Sequence, residues 1–156
     1  MKLTLLVVGK TTDKHLDYLI SDYTDRMRHY LSFELRVIPE LRNAKNLTHD
    51  QQKQQEGQLI LNNIDSSTRL LLLDEHGKQR RSIDFADYIQ QLLNNGRNVC
   101  FVVGGPYGFS QAVYDRADGM ISLSDMTFSH QMIRLLFVEQ LYRAMTILHS
   151  EPYHHE

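Results

Sequence analysis

The stretch FVVGGPYGFS, residues 101–110, is where the fold prediction for this chain begins. The run of five apolar residues at 99–103 leads directly into two glycines and a proline, and a third glycine follows at 108. This pattern is typical of a buried strand that ends where its backbone closely approaches something else. In one interpretation the loop is a tight turn, in which Pro106 fixes one dihedral angle and Gly108 supplies a positive φ. In the other, the bare backbone of Gly104 and Gly105 contacts a ligand.

Short apolar runs and helical periods alternate along the rest of the chain. Strands are predicted at residues 3–8, 33–38, 70–73, 99–103 and 120–123. Helices are predicted at 16–30, 48–63, 82–95, from 110 onward, and at 130–148. Ser82 is expected to cap the third helix and Gly96 to end it. This alternation predicts one α/β domain, residues 1–156, with a mostly parallel sheet flanked by helices.

Three of the predicted strands end in unusual residues, namely Leu73-Asp74, Gly104-Gly105 and residues 122–125. Ligands of parallel sheets bind beyond the carboxyl ends of the strands, so these three ends are expected to share one crevice. The common phosphate-binding patterns are missing from the glycine loop. It lacks the Lys-Ser/Thr pair of a P-loop, and the G-x-G-x-x-G fingerprint is absent.

Composition excludes several classes of protein. The chain has 156 residues, 42% of them hydrophobic, and its apolar runs are far shorter than the roughly 20 residues that span a bilayer. The amino-terminal run is expected to be a strand and not a signal peptide. Because Cys100 is the only cysteine, an internal disulfide is excluded, which fits a cytoplasmic protein. Cys100 is expected to lie in the core. The net charge of −2 means that any RNA contact depends on local basic clusters.

The predicted last helix and the tail after it carry most of the remaining polar chemistry. Glu139 and Arg143 are four residues apart and are expected to pair, as a solvated ion pair or as part of a site. Arg134 lies nine residues before Arg143, on the opposite side of the helix, so the two cannot serve one site in one subunit. The tail EPYHHE is either a disordered terminus or a functional segment. Eight histidines lack metal-ligand spacing, so no metal is expected.

Taken together, GGPYGFS, DMTFSHQMIRLLFVEQLYRA and the terminal PYHH closely resemble one family, and KLTLLVVGK and LLLLDEHGK extend the likeness over the whole chain. It is the ribosomal RNA large subunit methyltransferase H family, small SPOUT-class enzymes that methylate N3 of a pseudouridine in 23S rRNA. The resemblance implies a C-terminal trefoil knot, a homodimer and S-adenosylmethionine as methyl donor. The implied cofactor contacts are Leu73, Gly105, Ser124, Asp125, Met126, Thr127, Phe128 and Ser129.

The resemblance also implies roles for four catalytic residues. Arg143 is expected to stabilise the imide anion of the base, and either Glu139 or His154 to accept the N3 proton. Tyr153 is expected to stack on the base or position it. The tail of one chain is expected to complete the site of the other. The implied partner is 23S rRNA within the assembled ribosome, with neither DNA nor a membrane.

Two positions depart from the family pattern. Ser129 stands where many relatives carry proline, which would either loosen the loop or cap the following helix. His155 stands where lysine or arginine is common, so a fixed positive charge is not expected there. Residues 78–81 include Lys78, Arg80 and Arg81, which form either a phosphate-contacting patch or a solvated turn.

Two other functions are left open by the sequence. The first is a non-catalytic ribosome-binding factor with the same fold. The second is a flavodoxin-like nucleotide-binding enzyme. The second is disfavoured because residues 9–12, Gly-Lys-Thr-Thr, are the only candidate phosphate-binding loop after the first strand.

Overall fold

The computed structural model describes residues 1–155, which form a five-stranded sheet with helices on both faces. The strands are β1 (Lys2–Val8), β2 (Ser32–Ile38), β3 (Arg69–Gln79), β4 (Val99–Val103) and β5 (Gly119–Ser122). The α-helices are α1 (Lys14–Met27), α2 (His49–Asn62), α3 (Ser82–Asn95), α4 (Gln111–Arg116) and α5 (Met132–Leu148), and a 3₁₀ turn covers Ala44–Asn46. The strand order is β2-β1-β4-β3-β5 and the four pairings are parallel. The predicted α/β class is therefore confirmed.

The central strand β4 is buried along its whole length because helices cover both of its faces. Phe101 points toward the layer of α1, α3 and α5, where its ring lies 4.9 Å from that of Phe137. Cys100 and Val102 point the other way, into the layer of α2 and α4. Cys100 is a core residue, as predicted, and burial raises the pKa of its thiol to about 12. The thiol is therefore a packing group and not a nucleophile.

Strand β3 is longer than the prediction, which ended it at Leu73. The register with β5 shifts between Leu73 and Lys78, and the strand then continues to Gln79. A Cβ atom on Gly77 would lie 2.6 Å from the backbone nitrogen of Ile121, so the close approach of the two strands requires glycine. The segment after Leu73 has no apolar run that would predict a strand, because it is held by backbone pairing and not by apolar side chains.

The third helix begins differently from the prediction. Arg81 occupies the cap position, and Ser82 is the first helical residue. The Ser82 hydroxyl instead bonds the side chain of Gln140 on α5 at 2.8 Å, so a tertiary contact replaces the expected local one. The end of the helix matches the prediction, because Gly96 adopts a left-handed conformation with φ of 77°.

Candidate active site

A cavity of about 710 Å³ opens at the carboxyl ends of β3, β4 and β5. The three unusual strand ends meet there, as the sequence predicts. We call it the strand-end cavity. Its wall includes every residue expected to contact the cofactor, namely Leu73, Gly105, Ser124, Asp125, Met126, Thr127, Phe128 and Ser129. Lys53 from α2, Tyr114 from α4 and Ile133 from α5 complete three of its sides.

The glycine loop on this wall is a tight turn. The amide of Gly108 donates to the carbonyl of Gly105 at 3.2 Å, and Gly108 has a φ of 80°. A Cβ atom on Gly104 would lie 3.2 Å from the ring of Phe109, and one on Gly105 would lie 2.8 Å from a carboxylate oxygen of Glu56. Internal packing therefore already accounts for both glycines. Their backbone still lines the cavity, and contact with a ligand stays a prediction.

The loop that follows β5 is ordered by its own serines. The Ser124 hydroxyl accepts from the amide of Met126 at 2.9 Å, and that of Ser129 accepts from the amide of Met132 at 3.1 Å. Of the two interpretations of Ser129, the helix cap is therefore the one that the geometry supports. Met126 is 76% exposed, so the tip of this loop presents an apolar side chain to solvent.

Arg134 ties the start of α5 to the end of β1 and was not identified from the sequence as a structural residue. Its side chain is 1% exposed, and its guanidinium donates to the carbonyls of Val8 at 2.9 Å, Gly9 at 2.8 Å and His130 at 3.0 Å. Burial lowers the pKa of this group, and the carbonyls replace the water that it loses. Nothing in the local sequence distinguishes such an arginine from a solvated one.

Asp74 lies on the cavity wall at the strand end that the sequence singled out, although no role was assigned to it. Its carboxylate accepts hydrogen bonds from the Tyr114 hydroxyl, and from the His76 ring at 2.8 Å and amide at 2.9 Å. Burial opposes ionisation of Asp74, but these hydrogen bonds outweigh it and hold its pKa below the usual value. Burial and the Asp74 carboxylate together raise the pKa of Tyr114. The cavity therefore keeps a fixed negative charge on this side.

The four expected catalytic residues come together in a second place, which we call the tail cluster: Glu139, Arg143, Tyr153 and His154. Arg143 donates to Glu139 at 2.6 Å and to the Nδ1 atom of His154 at 3.2 Å. The Tyr153 hydroxyl donates to the same Glu139 oxygen at 3.0 Å, and the Arg143 guanidinium lies 4.8 Å from the Tyr153 ring centroid. The expected ion pair is confirmed, and it is partly buried.

The tail packs against α1 and α5 and is not a disordered terminus over the residues described. Tyr153 bonds the Tyr23 hydroxyl at 3.1 Å, and its ring lies 4.8 Å from that of Tyr142. The amide of Glu151 donates to the carbonyl of Thr146 at 2.9 Å, and its carboxylate accepts from Tyr30. Burial, together with Tyr23 and Glu139, raises the pKa of Tyr153, so its hydroxyl stays protonated. His155 is exposed, and Glu156 lies outside the described residues.

The tail cluster and the strand-end cavity do not meet within one chain. Among residues 1–155, the wall of the cavity includes Ile133 but no member of the tail cluster. Arg143 follows Ile133 by ten residues, which is about 15 Å along a helix. Arg134 and Arg143 also have different partners, as their spacing predicts. Arg134 bonds the Gly9 carbonyl, whereas Arg143 bonds Glu139. One copy of the chain thus holds the two groups of expected functional residues apart.

The basic patch after β3 borders a smaller cavity of about 230 Å³. Lys78 and Arg80 lie on its wall, and the Arg80 guanidinium lies 4.0 Å from the ring centroid of Tyr88. A phosphate contact for this patch stays a prediction. Within the described residues, no helix is long and apolar enough to cross a membrane. Nor does that part of the chain place three or more His, Cys, Asp or Glu side chains where they could hold a metal ion.

Comparison with known proteins identifies the family and the fold of the chain. A family profile described as "Predicted SPOUT methyltransferase" matches residues 1–154. The chain is 56% identical to the ribosomal RNA large subunit methyltransferase H of Phocaeicola vulgatus and 55% identical to that of Bacteroides fragilis, in each case over 100% of both chains. The crystal structure of tRNA (m1G37) methyltransferase from Aquifex aeolicus shares the fold, with a TM-score of 0.59 at 15% identity over 100% of this chain and 76% of that one. The chain belongs to the SPOUT methyltransferase family.

Proposed function

We propose that this chain uses S-adenosylmethionine to methylate N3 of a pseudouridine in 23S rRNA, acting in the cytoplasm on the assembled ribosome. The observation that carries the proposal is the strand-end cavity, whose wall contains all eight residues expected to contact the cofactor. The full-length relatives named as large subunit rRNA methyltransferases support the choice of RNA. Methylation of N3 follows from the resemblance of the three sequence motifs.

The residues of the cavity fit the proposed cofactor. Its volume of about 710 Å³ lies in the range of sites for nucleoside-sized ligands. Leu73, Gly105 and residues 124–129 offer apolar side chains and backbone groups, which suit a purine and a ribose. Asp74 and Asp125 on the wall complement a positively charged ligand. When bound, the cofactor supplies a methyl group already activated on a sulfonium.

The tail cluster supplies what the acceptor base needs. N3 of pseudouridine is an imide nitrogen, which attacks only as its proton leaves. The Arg143 guanidinium stabilises the negative charge that develops on the neighbouring ring oxygens. Glu139 holds that guanidinium in place, and Tyr153 holds Glu139. Glu139 keeps the guanidinium in position while its bond to His154 is exchanged for one to the base.

We propose that His154, and not Glu139, is the base that accepts the N3 proton. The Glu139 carboxylate already accepts hydrogen bonds from Arg143, Tyr153 and Gln140, so its two oxygens are occupied by donors of the cluster itself. Arg143 can only donate, so it bonds Nδ1 of a neutral His154 ring whose own proton is on Nε2. His154 therefore accepts the N3 proton at Nδ1 after Arg143 has turned to the base.

The proposed enzyme is a homodimer in which the tail cluster of one chain faces the strand-end cavity of the other. The separation of the two groups along α5 within one chain supports this arrangement. Exposed apolar side chains at Met126, Phe128 and Met132 lie beside the cavity and give a second chain an apolar surface to cover. We also propose that the C-terminal part forms the trefoil knot that the resemblance implies.

The test is transfer of labelled methyl from S-adenosylmethionine to ribosomes that lack this modification, with free 23S rRNA in parallel. We expect label on the ribosome, at N3 of one pseudouridine, and little on free rRNA. Absence of label on both, from a folded protein that binds the cofactor, would contradict the proposal in favour of a non-catalytic ribosome-binding factor.

The dimer is tested separately by mixing two inactive variants, one altered in the tail cluster and one in the cavity. If each site combines two chains, mixed dimers regain one intact site and part of the activity. No recovery, in samples shown to exchange subunits, would contradict the shared site.

A further inference from the structure

Glu56 on α2 is a buried carboxylate for which the proposed mechanism has no use. Glu56 is only 6% exposed. One carboxylate oxygen accepts a hydrogen bond of 3.3 Å from Gln52, one turn earlier in the same helix. Among residues 1–155, no cation forms an ion pair with it, and the charges that act on it from further away are Glu40 and His130. Buried carboxylates are costly unless paired, so an unpaired one calls for an explanation.

The position of this carboxylate relates it to the strand-end cavity. It packs against Gly105, where a Cβ atom would lie 2.8 Å from one of its oxygens. Gly105 is part of the cavity wall, and so is Lys53, which precedes Glu56 by three residues on the same face of α2. The negative charge therefore lies directly behind the glycine loop, one backbone residue away from whatever fills the cavity.

We propose that Glu56 makes the strand-end cavity prefer the positively charged methyl donor to its neutral product, and so favours product release. This inference rests on the proposed function. In the reaction the S–CH₃ bond breaks and its electron pair stays on sulfur, the methyl group bonds N3, and the N3 proton passes to the base. The sulfonium thereby becomes an uncharged thioether. The amino and carboxylate groups of the ligand are the same before and after transfer. A nearby fixed charge therefore distinguishes the methyl donor from the product only through the charge on sulfur.

The physical setting strengthens this discrimination. A charge surrounded by protein is screened less than one in water, so its attraction for a cation persists over several ångströms. Burial raises the pKa of Glu56, opposed by the hydrogen bond from Gln52, while Glu40 raises it and His130 lowers it. Since the effect requires the ionised carboxylate, the preference is complete above that pKa and declines as pH falls through it.

The experiment is calorimetric measurement of the dissociation constants of S-adenosylmethionine and S-adenosylhomocysteine at pH 8, for wild type and Glu56→Gln. We expect Glu56→Gln to weaken binding of the sulfonium ligand roughly three- to tenfold and to leave the thioether ligand nearly unchanged. The matched control is Asp50→Asn, which removes an exposed carboxylate from the same helix and leaves the ratio of the two constants unchanged.

A purely structural role gives a different result. If Glu56 only supports the glycine loop, the variant weakens both ligands by one factor, and an unchanged ratio overturns the inference. If Glu56→Gln does not fold, the ratio in wild type between pH 8 and pH 5 decides, because the inference requires the preference for the sulfonium to decline. A wild-type protein that binds neither ligand contradicts the proposed function itself, which is a distinguishable outcome.

Discussion

The strand-end cavity and the tail cluster differ in what they are made of. The cavity is an open space at three strand ends, walled mainly by apolar and small residues with a few charged side chains. The tail cluster is a closed set of side chains whose polar groups bond one another. A cofactor that carries its own activated methyl needs space and alignment, whereas an acceptor that must lose a proton needs charge. In the proposed enzyme the two regions thus divide binding from chemistry, and we expect that each can be altered without the other.

The strongest test of this division is Arg143→Ala. The variant removes the charge proposed to stabilise the imide anion and leaves Glu139 without its closest partner. We expect methyl transfer to ribosomes to fall about 100- to 1000-fold, while the dissociation constant of the cofactor stays within about twofold. Single-turnover transfer and calorimetry measure the two. Arg28→Ala is the matched control, because its ion pair with Asp25 is exposed and its loss costs little.

The second variant is His154→Ala, which removes the proposed base. Transfer is expected to fall about 100-fold, with cofactor affinity preserved, since general bases contribute factors of about 100 or more. His155→Ala changes the adjacent exposed histidine and is expected to have no effect. An equal loss of transfer and of cofactor affinity in His154→Ala would contradict its assignment to the chemical step.

The opposite result is expected from the cavity variant Gly105→Ala. Its new methyl group meets the Glu56 carboxylate, which displaces the glycine loop and lowers the free energy of unfolding by about 1–3 kcal/mol. Cofactor affinity falls about tenfold, and transfer at saturating cofactor is largely preserved. Thermal unfolding and calorimetry check both effects. The double variant Gly105→Ala/Glu56→Ala removes the clash, and failure to recover stability would show that the contact is not its cause.

The smallest effect is expected from Ser129→Ala, which removes the hydroxyl that accepts from the Met132 amide. Loss of such a cap costs about 1 kcal/mol of unfolding free energy. Ser129→Asp restores an acceptor at the same place and is expected to recover it. Denaturant unfolding of the three proteins measures the difference. A loss in Ser129→Asp as large as that in Ser129→Ala would assign the effect to the loop and not to the cap.

Sequence reasoning succeeded where a short pattern is sufficient. The apolar runs marked the five strands, and Gly108 at the end of the glycine loop marked its turn. The convergence of three strand ends followed from a general property of parallel sheets. The continuation of β3 to Gln79 was not predicted, because polar residues paired through their backbone resemble a loop in sequence.

The residues that sequence reasoning missed depend on contacts between distant parts of the chain. Glu56 occurs in a polar, glutamine-rich run that gives no sign of burial. Arg134 resembles any helical arginine until the carbonyls of Val8 and Gly9 are placed around it. Spacing predicts the Glu139–Arg143 pair, but the joining of Tyr153 and His154 to it is implied only by the family resemblance, since periodicity carries no information about where a terminal segment packs.

The bonds from Arg134 to the end of β1 also bear on how the chain is made. They join groups 125 and 126 residues apart. The carbonyls of Val8 and Gly9 therefore gain these hydrogen bonds only once α5 has packed against the end of β1. Contacts of this separation form slowly, because a long loop must close first. Synthesis proceeds from the amino terminus, so most of the chain exists before it can complete its native structure. Until α5 has been synthesised and packed, the carbonyls at the end of β1 lack their arginine partner, so the amino-terminal part has to persist in an incompletely bonded form.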